Sequence, residues 1–324
     1  MCTAISFKTK GAFFGRNLDL EYRYNETVTV TPRNFPLHFR ELPEMQSHHA
    51  IIGMAFVAEG YPLYYDAMNE HGLFAAGLNF PENAVYMPKN ATFENIAPFE
   101  LVPRVLGQCS SAKEAKKLLA RVNILNTDFS KELPNTPLHW FFADKEGSFA
   151  AEPLANGLRI YDDPLGVLTN NPPFEFQMQN LQNYPGLSPY EPELIFGSGA
   201  GLKPYSRGLG AVGLPGDLSS ASRFVRAAFA KLNSLCGDSE EESVTQFFHI
   251  LGAVEQQRGC VRLAEGKLEK TVYSSCASAE SGIYYYKTYE NSRICGVDMY
   301  RENLDGEKLV SYSLAAEQDV FIQN

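Results

Sequence analysis

The sequence has no run approaching the roughly 18 consecutive apolar residues that a membrane-spanning helix requires. Its first residues, MCTAISFKTKG, show no basic segment leading into an apolar core. That excludes a typical export signal and makes the cytoplasm the expected location. Cations are scarce: 28 Lys plus Arg stand against 38 Asp plus Glu, a net charge of -10. This balance excludes nucleic acid as a partner, because phosphates demand clustered cations. An anionic substrate would have to find a local cationic site. The six cysteines, at positions 2, 109, 236, 260, 276 and 295, show no CxxC spacing, and among the six histidines only His48 and His49 are adjacent. Such a scatter leads us to expect no metal centre and no cofactor, and the thiols read as reduced.

What is present is a large apolar fraction, 44% of residues, with 22 Phe and 17 Tyr. A chain of this length buries about 75% of its unfolded surface and needs no disulfides to fold. Strands are expected at 2–7, 12–16, 27–31, 50–58, 63–68 and 73–79, the last two joined through Asn69–Gly72. They are apolar on nearly every residue, so both faces should be covered. Helices are expected from Thr92 or Asn95 through about Gln108, and from Ser111 onward with Ala115, Leu118, Leu119 and Val122 on one face. Strands resume at 138–143, 148–152, 157–161 and 166–169. Two stronger helices follow at about 219–233, with Phe224, Val225, Ala228, Phe229 and Leu232 as its buried stripe, and 239–253, whose Glu241 and Glu242 suit the helix dipole. Strands close the chain at 270–275, 282–287 and 293–300. This order, without repeat or linker, predicts an α+β fold: one domain over 1–324 in which two stacked sheets are flanked by helices, αββα. The longest irregular segment, 183–217, is rich in Pro and Tyr, and loops of that length are usually functional or mobile.

Four features bear on chemistry. The first is Cys2. Removal of Met1, which a small second residue permits, would leave a thiol beside a free α-amine. Such an amine titrates near about 7.7–8, well below lysine, so one residue can supply nucleophile and base together. By position alone it could equally be an ordinary strand cysteine. The second is Gly15-Arg16-Asn17-Leu18-Asp19, on the strand expected to pair with that of Cys2. Arg16 could favour a thiolate and Asp19 could orient the amine, although an exposed Arg–Asp pair would contribute almost nothing. The third is asparagine at the ends of two apolar strands, Asn79 in AGLNF and Asn170–Asn171 in LTNNPP. An amide or a neighbouring backbone N–H there can receive an oxyanion. Turn formation is the alternative, especially before Pro172. The fourth is Arg223 in the first turn or so of a helix, where a cation opposes the dipole and hints at use. A solvated arginine is the commoner explanation.

Together and in this order, MCTAISF, FGRNLDLE, YPLYYDAMNEHGLFAAGLNFP, LTNNPPF, GLPGDLSSASRFVR and TQFFHILGAVEQ resemble the choloylglycine hydrolase family across nearly the whole chain. The resemblance implies an N-terminal-nucleophile hydrolase of the αββα fold. It implies Cys2 as nucleophile, with its α-amine as proton acceptor and later donor. Arg16 and Asp19 match the polar pair supporting thiol and amine, Asn79 and Asn171 the residues around the oxyanion, and Arg223 the arginine of the SRF segment. Asn79 further favours the branch that cleaves glycine- or taurine-conjugated bile salts over penicillin V acylases, which typically carry Tyr there. A rival from another class is a non-catalytic bile-acid binder on a decayed scaffold, which would need none of this geometry. For the steroid, Leu20, Tyr24, Tyr65 and the loop from Phe129 to Leu133 are candidates for a broad apolar wall, and each could equally be core. The resemblance implies no cofactor. It implies a homotetramer, with 183–217 as the candidate assembly segment.

Overall fold

The apolar runs fold as strands with both faces covered. The computed structural model describes residues 1–193, 198–315 and 317–324. In chain order the strands are β1 Cys2–Lys8, β2 Ala12–Leu20, β3 Thr27–Thr31, β4 Ile51–Ala58, β5 Tyr61–Asn69, β6 Phe74–Asn79, β7 Glu94–Ile96, β8 Val122–Ile124, β9 Leu138–Asp144, β10 Gly147–Leu154, β11 Gly157–Asp163, β12 Val167–Leu168, β13 Val261–Arg262, β14 Leu268–Ser278, β15 Ile283–Thr288, β16 Cys295–Asp298 and β17 Val310–Ser313. The α-helices are α1 Leu101–Gln108, α2 Ala112–Leu119, α3 Phe174–Leu181, α4 Ser220–Asn233 and α5 Glu240–Gly252.

One antiparallel sheet runs β12-β1-β2-β14-β15-β16, with β13 attached to β14. The other, also antiparallel, runs β11-β10-β9-β6-β5-β4-β3-β17. Helices α4 and α5 lie on the first sheet over β1, β2 and β14, and α3 packs on α4. Helices α1 and α2 cover the second sheet over β5, β6, β9 and β10. Period-two alternation explains the continuous apolar runs. On β9, Phe141 points between the sheets and meets Phe74, which in turn stacks on Phe14 of β2 at 5.9 Å. Its neighbours Trp140 and Phe142 point the other way, into the core shared with α1 and α2. Each such ring is worth about 1.5–3 kcal/mol by burial. The result is the αββα sandwich that the order of elements implied.

Local departures have local causes. The helix expected from Thr92 or Asn95 begins only at Leu101, because residues 94–96 pair in parallel with Val122–Ile124 instead. Pro98 disfavours helical backbone at Ala97, which is extended at φ -75°, ψ 152°. Val122 therefore sits in β8 and not on a helix face. Ser111 does cap α2, accepting from Glu114 N–H. On α4 the expected stripe fails at its end: Phe229 is half-buried and Leu232 is 60% exposed, since burial fades over the last turn. Helix α3 follows Pro172 and Pro173 where no helix was expected, and β17 is an added edge strand on β3. Of segment 183–217, residues 194–197 lie outside the described residues. The described remainder holds no strand and exposes Tyr190, Leu202, Tyr205 and Val212. No helix among the described residues is long and apolar enough to cross a bilayer.

Candidate active site

The short turn at 9–11 sets β1 and β2 in register, with Cys2 opposite Leu18 and Ala4 opposite Arg16. Gly15 lets β14 close against β2, since a Cβ there would lie 2.0 Å from Ser275 O. By strand alternation Cys2 and Arg16 share the face between the sheets, whereas Thr3, Asn17 and Asp19 face the helices. Arg16 reaches the second sheet, its Nη1 donating to Gly77 O at 2.5 Å and Tyr65 O at 3.1 Å. Its Nη2 is buried and has no partner among the described residues. Burial would lower this guanidinium, but the charges of Cys2, Tyr273, Asp66 and Asp19 outweigh it and hold Arg16 above its usual range.

Cys2 is 3% exposed and its main chain is clamped from the side opposite β2. Its N–H donates to Asn170 Oδ1 at 2.7 Å, and its carbonyl accepts from Arg223 Nη1 at 2.5 Å. Arg223 is fully buried, with Nη1 also on Thr3 Oγ1 at 2.6 Å and Nη2 on Asn170 Oδ1 at 2.8 Å. Burial pushes its guanidinium down, against the pull of Asp19, Cys2 and Glu269. Helix α4 brings Arg223 here through its Ser219 cap, which accepts from Ser222 N–H. Asn170 in turn donates from Nδ2 to Asn79 O at 2.6 Å, tying the ends of β12 and β6 together. Thr271 Oγ1 donates to Asp19 Oδ1 at 2.6 Å, while the buried Oδ2 of Asp19 has no partner among the described residues. Burial raises the Asp19 carboxyl, opposed by Arg223, the chain's amine, the Thr271 bond and Arg16. Met1 extends β1 past Cys2: its amine donates to Asp19 O at 2.8 Å and pairs with Glu269, and its carbonyl accepts from Asp19 N at 2.9 Å.

Cys2, Arg16, Asp19 and Arg223 therefore converge, Asn79 joins them through its main-chain carbonyl, and Asn171 does not. Asn171 is half-buried and donates to Pro81 O at 2.5 Å, whereas its neighbour Asn170 holds Cys2. Register explains the exchange. Ala4 pairs with Leu168 and Ile5 with Val167, so two further steps set Asn170 opposite Cys2. The solvated arginine anticipated as the commoner outcome is instead buried. Glu269 and Thr271 went unread, being two polar residues on a late strand with no motif around them.

The apolar candidates fall into two groups. Leu20 and Tyr65 are partly buried against the core between the sheets. Tyr24 joins them: its hydroxyl is 2.8 Å from Tyr22 Oη, its ring lies 6.3 Å from Phe56, and after burial it is, with Glu26, among the groups that raise Tyr65. Phe129 packs on Phe99 at 5.2 Å and Tyr61 at 6.1 Å, and Leu133 N closes a turn onto Ser130 Oγ at 3.2 Å. A cavity of about 670 Å³ opens elsewhere, at the β5–β6 turn, remote from Asn79 at the far end of β6. His49, Glu70 and His71 line it with ligating atoms within 4.8 Å of one another. Glu70 is held by the Arg33 fork and by Ala50 N–H at 2.8 Å, and His71 Nε2 lies 3.1 Å from His49 Nδ1.

The chain matches the family model for linear amide C–N hydrolases, choloylglycine hydrolase family, over residues 2–312. It is 53% identical over 324 residues, the full length of both chains, to a bile salt hydrolase/transferase of Lactiplantibacillus plantarum. A bile salt hydrolase/transferase of Clostridium perfringens is 40% identical over 96% of each chain. Among solved structures, a variant of conjugated bile acid hydrolase from Clostridium perfringens superposes with TM-score 0.91 at 37% identity, covering both chains completely. Penicillin V acylase from Agrobacterium tumefaciens shares the fold at TM-score 0.75 and 18% identity, over 98% of this chain and 94% of that one.

Proposed function

The chain belongs to the choloylglycine hydrolase family of linear amide C–N hydrolases, and from that premise we propose that it cleaves glycine- or taurine-conjugated bile salts through a thioester on Cys2. The observation that carries the site assignment is the convergence at Cys2 of Arg16 and Asp19 from β2, Asn170 from the end of β12 and Arg223 from α4. Relatives named for bile salt hydrolysis across the full chain support the substrate class.

In this reading, loss of Met1 turns the Cys2 amide into an amine that keeps Asn170 Oδ1 as acceptor and gains the free Oδ2 of Asp19. The thiol proton passes to that amine, and the sulfur, on the same face of the sheet as Arg16, attacks the substrate carbonyl. Asn79 and backbone N–H groups receive the oxyanion. The α-ammonium protonates the departing amino acid, and water, activated by the same amine, releases the bile acid. The buried Arg16 and Arg223 supply the local cations that the net charge of -10 does not. The exposed side chains of Tyr190, Leu202 and Tyr205 support an assembly role for that segment, and with it the homotetramer.

Free glycine or taurine should appear when glycocholate or taurocholate meets protein whose intact mass proves Met1 loss, with penicillin V cleaved more slowly. Absence of release from both conjugates would overturn the substrate assignment. The register makes a sharper prediction. Asn170→Ala removes the acceptor shared by Cys2 and Arg223 and should lower kcat/KM roughly 100-fold, while Asn171→Ala stays within about threefold. Equal losses in the two variants, measured on the same conjugate, would remove Asn170 from the proposed role.

A further inference from the structure

We propose that His139 is a positioning residue for this reaction, a pin that crosses between the sheets and sets Asn170 against Cys2; the inference rests on the hydrolase reading above. His139 and Glu152 are both wholly buried. They are cross-strand neighbours, because Trp140 pairs with Ala151 and one further step pairs His139 with Glu152. The imidazole Nδ1 lies 3.0 Å from Glu152 Oε1, and Nε2 lies 2.9 Å from Thr169 O.

A neutral imidazole has one donor nitrogen and one acceptor. Here both nitrogens face oxygens. Thr169 O is a carbonyl and can only accept. Glu152 also accepts Phe174 N–H, at 3.0 and 3.2 Å from its two oxygens. Nε2 therefore donates to Thr169 O, and Nδ1 is held against Glu152 Oε1. Well-packed apolar residues would serve stability as well or better in such a place. Position is what the pair supplies.

The pin acts on both halves of the site. His139 stands opposite Leu78 on β6, beside the Asn79–Leu138 pair. The ring of Phe80, next after Asn79, stacks on the imidazole at 4.1 Å and 5°. On the other sheet, Thr169 immediately precedes Asn170, whose N–H is held by Ser220 Oγ at 2.8 Å. One ring thus fixes the ends of β6 and β12, which Asn170 ties together at Cys2 through Asn79 O.

Two variants separate position from stability. His139→Gln places an amide nitrogen near the site of Nε2 and keeps the Thr169 contact. His139→Asn reaches only as far as Nδ1 and keeps the Glu152 contact. Each loses one of the two ring contacts, and both should lower Tm alike. His139→Asn should also lower kcat roughly 10- to 100-fold with KM within about twofold, while His139→Gln stays within about threefold of the parent. Equal kcat in the two variants, or a loss confined to Tm, overturns the inference. The parent protein runs in the same assay. If it releases no amino acid, the hydrolase reading fails, and the rate of Cys2 alkylation by iodoacetamide decides the pin instead: slowed in His139→Asn alone supports it, unchanged overturns it. Should the variants not fold, a long-range 1H–15N spectrum of the histidine-labelled parent protein takes their place. A proton on Nε2 of His139 supports the pin, and a tautomer without it, which leaves Thr169 O with no donor from the ring, overturns it.

Discussion

Cys2→Ala should leave a folded protein with kcat on conjugated bile salts reduced roughly 10^4-fold or more. The size of the loss follows from the chemistry. Without Sγ no thioester forms at residue 2, and the two other buried thiols are poor substitutes: Cys109 and Cys276 lie in the cores, and burial pushes the thiols of both up, Cys109 to about 11. The fold should survive because the clamp on residue 2 is made by its main chain. The N–H to Asn170 and the carbonyl from Arg223 are indifferent to the side chain. Exchange of a thiol for a methyl hydrogen in a 3% exposed strand position removes one heavy atom, a cost of about 1 kcal/mol. Amino acid release and a melting curve on the same preparation make the test, together with an acid quench of the parent enzyme to look for the acyl mass on the N-terminal peptide. Residual turnover within tenfold of the parent would place the nucleophile elsewhere.

Retention of Met1 should be nearly as damaging, with Cys2 intact. With Met1 in place the nitrogen of Cys2 is an amide, not a base, and its single hydrogen is committed to Asn170 Oδ1. Met1 also fills the space along β2, exchanging two main-chain hydrogen bonds with Asp19 and setting its amine on Glu269. The proton acceptor is then displaced by one residue from the thiol. Inserting Lys between Met1 and Cys2, which methionine aminopeptidase does not pass, should give protein of the expected mass with activity lower by roughly 10^3-fold or more. Removing the two extra residues with an engineered protease site should restore it. Full activity in the uncleaved protein would show that the amine of residue 2 is not the base.

The two asparagine predictions, in 170 and 171, separate what was legible from what was not. Both residues lie in the same LTNNPP segment, and its importance was visible in the residues. Which of them faces Cys2 was not, because that depends on the register of β12 against β1, two strands some 165 positions apart in the chain. A slip of one residue would exchange them and turn every side chain of the strand over. Arg223 shows the same limit. Its place near a helix start could be read, but its burial came from the way α4 lies across β1. The pair of His139 and Glu152 left no local trace, since neither sits in a motif and they meet only once β9 and β10 align.

The sequence by itself determined most of the strands and every α-helix but α3, their layering as αββα, and the joint placement of Cys2, Arg16 and Asp19. Those three lie on one hairpin whose short turn leaves a single register, and the apolar runs are long enough to demand cover on both faces. Tertiary structure alone decided which asparagine meets Cys2, that Arg223 is buried, that Glu269 and Thr271 stand at the chain start, and that His139 bridges the two sheets. Each of these depends on strands and helices distant in sequence settling against a common core, where a shift of one residue in packing changes the neighbour and leaves the local pattern untouched.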